Sequence, residues 1–175
     1  MPDHAEPDHA EPDHAEEDLR RTVEILAGQR EIERMIYQVG YALEAGDFSR
    51  VAEIMGDATL GADMIGRRAF AGAEEIRVQY TKTNIVYPDR GRASKEIYTS
   101  VMVDIDLDQG TATSVTSYTV AHQPPDEPFA LLVAGKYEDE WRRVDGTWRW
   151  FDRFIVVQYK NDLDRHMHPG TQPYN

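Results

Sequence analysis

The chain has 175 residues, 41% of them hydrophobic, no cysteine, and a formal net charge of −13. That length suffices for one domain with a sizeable core, and the lack of cysteine excludes disulfides, thiolate chemistry and cysteine-ligated metal. The acidic balance argues against nucleic acid as a partner, and no apolar run is long enough to span a membrane as a helix.

Residues 1–18 hold the unit Pro-Asp-His-Ala-Glu three times, at 2–6, 7–11 and 12–16, followed by Glu17 and Asp18. This stretch carries eight acids and neither Lys nor Arg; without it 24 acids face 19 bases, an ordinary surface balance. A proline every five residues and almost nothing apolar to bury predict a disordered tail over 1–18. His4, His9 and His14 offer adventitious metal contacts at most, with no fixed geometry. A basic start followed by an apolar signal core is lacking, so a cytoplasmic location is expected.

From 19 to 43, Val23, Ile25, Leu26, Ile32, Met35, Ile36, Val39, Tyr41 and Leu43 recur at helical spacing, with Gly28 as a break point. Ala45-Gly46-Asp47 ends that helix, and Asp47 is placed to cap a short one over 48–55. Residues 59–70 read as a short strand pair turning at Gly66, and 72–82 as a third helix with Ile76 and Tyr80 inward. A polar connection, 87–93, leads into strands at 94–108 and 111–122, joined by Asp108-Gln109-Gly110. Pro124-Pro125-Asp126 then precedes a strand that starts near Phe129.

The stretch 135–159 is the strongest local signal. Tyr137, Trp141 and Val144 precede Asp145-Gly146, and Trp148, Trp150, Phe154 and Val156 follow it in strands that mix apolar and polar residues, which predicts a hairpin with a two-residue turn. Two strands of this length exceed the usual one and belong to a long, curved sheet. Helices followed by an antiparallel meander give an α+β domain: a cone-shaped, strongly bent sheet with helices on its concave face and a pocket where the two diverge.

The order of elements, the segment Tyr41-Ala42-Leu43-Glu44-Ala45-Gly46-Asp47, the stretch GKYEDEWRRVDGTWRW at 135–150 and FDRFIVVQYKNDLDRH at 151–166 resemble the SnoaL-like branch of the nuclear transport factor 2-like superfamily. The resemblance spans residues 19–168 and leaves 169–175 as a C-terminal tail. It implies a cofactor-independent enzyme, a lyase, isomerase or cyclase acting on a small, partly hydrophobic oxygenated substrate, as polyketide cyclases, dehydratases, dehydrochlorinases and steroid isomerases of this branch do. Fold alone does not choose among these activities, nor between them and a non-catalytic binding or assembly module.

Dehydratase-like relatives pair an Asp near the end of the first long helix with a His on the first long strand. The matching positions here are Glu44 and Glu96, so the sequence departs from that dyad at both. Two carboxylates sharing a dry cavity repel, so that one keeps its proton beside an ionised partner, an arrangement fit for acid–base catalysis. Arg153 between them would instead resemble the carboxylate–Arg–carboxylate set of limonene epoxide hydrolase and imply epoxide opening; Asp47 is a substitute for Glu44 in either scheme. Tyr37, Tyr41, Tyr80, Tyr98, Tyr118 and Tyr137 supply phenols able to donate to a substrate oxygen. Strand parity sets Glu96, Tyr98 and Ser100 on one face, and Tyr98 and Tyr41 are the favoured pocket pair.

His122 belongs at the sheet edge. His166 and His168 with Asp164 have a spacing that metal sites use, but no third strong ligand is evident, no metal site is assigned, and the segment reads as a tail that folds over the cavity mouth. Trp141, Trp148 and Trp150 read as core or interface. A homodimer covering the outer face of the sheet is expected, with a trimer as the alternative that scytalone dehydratase suggests.

Overall fold

The computed structural model describes residues 11–171, with side chains from residue 14 onward. Helix α1, Glu11–Ala45, runs 35 residues and is followed by α2, Phe48–Met55, strands β1, Thr59–Ala62, and β2, Gly66–Ala71, and helix α3, Gly72–Thr83. Four long strands complete the chain: β3, Ser94–Asp106, β4, Thr111–His122, β5, Ala130–Val144, and β6, Thr147–Lys160. The single sheet is ordered β2-β1-β6-β5-β4-β3. Every pairing is antiparallel except β1 with β6, which run parallel from Thr59 against Asp152 to Ala62 against Ile155. The sequence reading of the meander and of the 59–70 strand pair holds; the parallel seam that joins them is new, because nothing local to a four-residue strand reveals a partner some 90 positions away.

Two sequence expectations for α1 change. The third Pro-Asp-His-Ala-Glu unit extends the helix back to Glu11, where a disordered tail was expected over 1–18; residues 1–10 lie outside those described. Alanine and glutamate are good helix formers, acids near a helix N-terminus suit its dipole, and Arg20 donates to Glu16 one turn earlier at 2.7 Å. Gly28 does not break the helix. A Cβ there would lie 2.6 Å from the Trp148 Nε1 and 2.8 Å from Ile105 Cδ1, so its role is to let α1 press onto the sheet. N-terminal to that contact, Leu19, Val23 and Leu26 stay exposed; C-terminal to it, Ile32, Ile36 and Val39 are fully buried.

The remaining signals resolve as expected. Asp47 accepts from the Arg50 amide at 2.9 Å and caps α2. Asp145 and Gly146 both take positive φ, 50° and 79°, as a type I′ turn requires. One irregularity sits in β3, where the register against β4 shifts between Thr99 and Met102 and Ser100 has φ of 50°. This bulge moves the inward set from 94, 96 and 98 to 101, 103 and 105, and it expels Ser100 from the face it was predicted to share with Glu96 and Tyr98.

The core divides along the cone. The closed end packs Ile32, Ile36, Val39, Met55 and Ile76 against Trp141, Trp148 and Trp150. Nearer the mouth, Tyr118, Val120, Leu132 and Tyr137 pack with Leu163 from the segment after β6, with Met167 against them. No helix among the described residues is long and apolar enough to cross a membrane.

Candidate functional site

A cavity of about 270 Å³ opens between the sheet and α3. Its wall is mostly apolar, with Leu43, Leu60, Phe70, Val120, Val133 and Ile155, and the polar groups that interrupt it include Tyr80, Asn84, Arg92, Glu96, Tyr137 and His166. Few polar groups converging in an apolar pocket is the usual form of a small-molecule site.

Glu96 enters this cavity from the first turn-in of β3. Its side chain is 2% exposed and takes a 2.8 Å hydrogen bond from Arg92 Nη1, while Oε2 is buried with no hydrogen-bond partner among the described residues. Burial pushes the Glu96 carboxyl above the usual carboxylate range; Arg92 opposes that rise, and the nearby charge of Glu44 adds to it. Arg92 itself sits in the 87–93 connection, fixed because its amide donates to the Glu44 carbonyl at the end of α1 at 3.0 Å. The neighbouring Gly91 has φ of 57°, and a Cβ on it would lie 2.3 Å from the same carbonyl, so only glycine lets the loop approach.

Arg92 also reaches the ring of His166 through Nη2 and Nε2. His166 is 4% exposed, and burial with the adjacent Arg92 charge pushes its pKa down to about 2. It reaches the cavity because the segment after β6 folds back over the mouth. The Ile85 amide donates to the His166 carbonyl at 3.0 Å, the His168 amide donates to the Thr83 carbonyl at 2.9 Å, and Leu163 and Met167 bury beside them. The expectation of a tail folded over the mouth thus holds for Leu163, His166, Met167 and Thr171, which line the cavity. His122 ends β4 at 5.0 Å from His166, ring edge to ring face, and is buried beside it. No group of three or more His, Cys, Asp or Glu side chains with metal-holding geometry occurs among the described residues.

The other sequence candidates divide. Tyr80 and Tyr118 line the cavity with Tyr137, and burial raises the Tyr80 and Tyr137 hydroxyl pKa values. Glu44 does not line it. Its carboxylate accepts from the Glu96 amide at 2.9 Å and from Lys95 Nζ at 2.7 Å on the outer side of the α1–β3 seam, so the expected pair of facing carboxylates is not formed. Tyr41 is 67% exposed, with Lys95 over its ring at 5.4 Å, and Tyr37 is 40% exposed. With Tyr98 they border a separate shallow groove on the outside. Tyr98 is wedged under α1 where Gly40 leaves room, and it meets Tyr137 edge-on at 5.7 Å, one ring behind the cavity wall. Asp47 is occupied as a helix cap.

Arg153 is fully buried but does not stand between Glu44 and Glu96. It makes a two-bond pair with Asp139 at 2.8 and 2.9 Å, stacked between Tyr137 and Trp150 at 4.1 and 4.3 Å from their ring centres. Sequence reasoning missed Arg92 and the place of His166 in the cavity wall. The signals were present as an arginine four residues before Glu96 and as Leu163 and Met167 flanking His166, an apolar pair one turn apart in a segment read as a tail.

A family model described as the SnoaL-like domain matches residues 24–153, most of the chain. The chain belongs to the SnoaL-like domain family. No curated protein matches this SnoaL-like chain by sequence. Among solved structures, a type 2 hexachlorocyclohexane dehydrochlorinase (LinA) superposes with a TM-score of 0.64 at 17% identity, covering 80% of this chain and 91% of its own. A candidate scytalone dehydratase from Novosphingobium aromaticivorans gives 0.61 at 20% identity, with 81% and 91% covered. The β subunit of a candidate aromatic-ring-hydroxylating dioxygenase from the same organism gives 0.60 at 12%, with 81% and 97% covered. At these identities the likeness is one of fold.

Proposed function

We propose that this SnoaL-like protein is an acid–base enzyme working without a cofactor, a lyase, isomerase or cyclase acting on a small, partly hydrophobic compound bearing a carbonyl or hydroxyl group. The observation that carries the reading is Glu96. One carboxylate oxygen is held by Arg92 and the other lies buried without a partner among the described residues in an apolar cavity. Burial raises its pKa toward the working range of a general base, which must bind a proton and release it again. A cavity of about 270 Å³ suits a small substrate rather than a polymer or peptide.

In the reaction, Glu96 takes the proton from the carbon beside a substrate carbonyl, and the electron pair moves onto the carbonyl oxygen. Tyr80, a phenol in the cavity wall, donates to that oxygen as its charge develops. The protonated Glu96 then returns the proton, either to a different carbon, which isomerises the substrate, or to a leaving hydroxyl, which departs as water. The fold neighbours named for dehydrochlorination and dehydration are consistent with such proton abstraction and elimination. The neighbour named as a dioxygenase β subunit keeps the binding or assembly reading as the rival. An epoxide-opening variant would draw on Arg92 with Glu96, since Arg153 is committed to Asp139.

Exchange of α-hydrogens for deuterium in small ketones, followed by proton NMR in heavy water, tests the reading without knowledge of the natural substrate. The protein accelerates the exchange, and Glu96→Gln lowers the rate by about 10²-fold or more. Equal rates in the two proteins would assign the cavity to binding alone.

A further inference from the structure

We propose that His166 is a third substrate-contacting residue, a neutral imidazole whose Nδ1–H joins the Tyr80 hydroxyl in donating a hydrogen bond to the substrate oxygen beside the hydrogen that Glu96 removes. The inference rests on the reading of Glu96 as the base and adds a second donor, beside Tyr80, that polarises the carbonyl.

A guanidinium can only donate hydrogen bonds. Contact between Arg92 Nη2 and His166 Nε2 therefore requires a lone pair on Nε2, which leaves the ring proton on Nδ1. Nδ1 is buried and has no hydrogen-bond partner among the described residues, although the ring forms part of the cavity wall. A buried donor is costly to leave unmade, so this atom is suited to meet an acceptor on a bound molecule. The charged and titratable groups around the ring are Arg92 from the loop before β3 and His122 from β4, and both disfavour a second proton on it.

Arg92 grips Glu96 Oε1 through one terminal nitrogen and His166 Nε2 through the other. The atoms it leaves free are a carboxylate oxygen, an acceptor, and an imidazole N–H, a donor. That complement matches a ketone carrying an acidic α-hydrogen, which presents a carbonyl acceptor and a removable proton on adjacent atoms. A neutral imidazole is suited to the task because it stabilises the developing enolate without surrendering a proton to the ground-state ketone. The donor arrives on the 162–171 segment, so the constellation is complete only while that segment is docked against Thr83 and Ile85.

The test uses full-length protein with nitrogen-15 histidine and 2-tetralone, a bicyclic ketone, as the probe. The expected result is a His166 ring neutral in the Nδ1–H form at neutral pH, with an Nδ1–H resonance that moves on adding 2-tetralone in both wild type and Glu96→Gln. In the exchange assay His166→Leu lowers kcat by about 10²-fold with KM little changed, while His166→Asn, which retains a side-chain N–H near the Nδ1 position, recovers most of the rate. A ring protonated on Nε2, a charged ring, or an Nδ1–H resonance indifferent to the ketone overturns the inference. Exchange lost in Glu96→Gln but intact in His166→Leu overturns it while leaving the acid–base reading standing. A moving His166 resonance with exchange unaffected by Glu96→Gln removes the base and keeps the donor.

Discussion

Among the described residues two arginine–carboxylate pairs are buried, and they are finished to different degrees. At the closed end, Arg153 and Asp139 form two parallel bonds and are sandwiched by Tyr137 and Trp150. At the mouth, Arg92 and Glu96 share a single bond; the second oxygen of Glu96 and the Nε of Arg92 are left over, and the spare nitrogen of Arg92 is spent on His166. The first arrangement satisfies both oxygens of its carboxylate, leaves only Arg153 Nη1 without a partner among the described residues, and stands between two aromatic rings away from the cavity, so it reads as structure. The second keeps capacity in reserve on a cavity wall, as a site must if a substrate is to use it.

The largest effect that separates the two pairs is on stability. Arg153→Met strands Asp139 as an uncompensated buried charge and costs about 3–5 kcal/mol in urea unfolding. A cost below 1 kcal/mol would remove the contrast. Next is Glu96→Gln, which keeps an amide oxygen for Arg92 to bond. It lowers acid–base turnover by about 10²- to 10⁴-fold, with a smaller stability change than Arg153→Met, as judged by parallel rate and unfolding measurements.

A smaller effect distinguishes the mouth by pH. His166 titrates near 6.5 when unfolded and is pushed down to about 2 in the fold, so between those values the unfolded chain holds a proton that the native ring refuses. Stability is therefore present above 6.5 and falls as pH drops, by about 1.4 kcal/mol per pH unit for that group. His122, also lowered by burial, acts in the same direction, whereas Glu96, raised by burial, acts in the opposite one. Urea midpoints of wild type and His166→Asn, compared across mildly acidic pH, isolate the His166 share as a shallower slope in the variant. Parallel slopes would mean the ring is accessible to protons. Smallest is Glu44→Gln, which still accepts the Glu96 amide, loses the attraction to a largely exposed Lys95, about 0.2–1 kcal/mol, and removes a minor contribution to the raised Glu96 pKa, with exchange turnover largely preserved.

How much of this was legible follows the range of each interaction. The Asp145-Gly146 hairpin, the Asp47 cap and the strands of the meander are set by neighbours in sequence, and they were readable as such. The parallel seam between β1 and β6 depends on partners 93 residues apart and the docking of His166 over the mouth on partners 74 to 85 apart, which no local pattern encodes. Glu96 is readable from family position, Tyr118 from strand parity and Tyr80 from the inward face of α3, and all three line the cavity. Glu44 and Tyr41 failed to reach it for one local reason, the pairing with Lys95 on the outer side of the seam. Ser100 left the predicted face through a bulge whose only sequence trace is an ordinary serine.

The protonation state of Glu96 decides between catalysis and binding, and carbon-13 NMR of its carboxyl across pH, with and without 2-tetralone, reads it. The predicted result is a carboxyl that titrates above the ordinary glutamate range and changes its titration when the ketone binds. A carboxyl that titrates like an exposed glutamate and ignores the ketone would contradict the assignment of Glu96 as the base and return this cavity to a binding role.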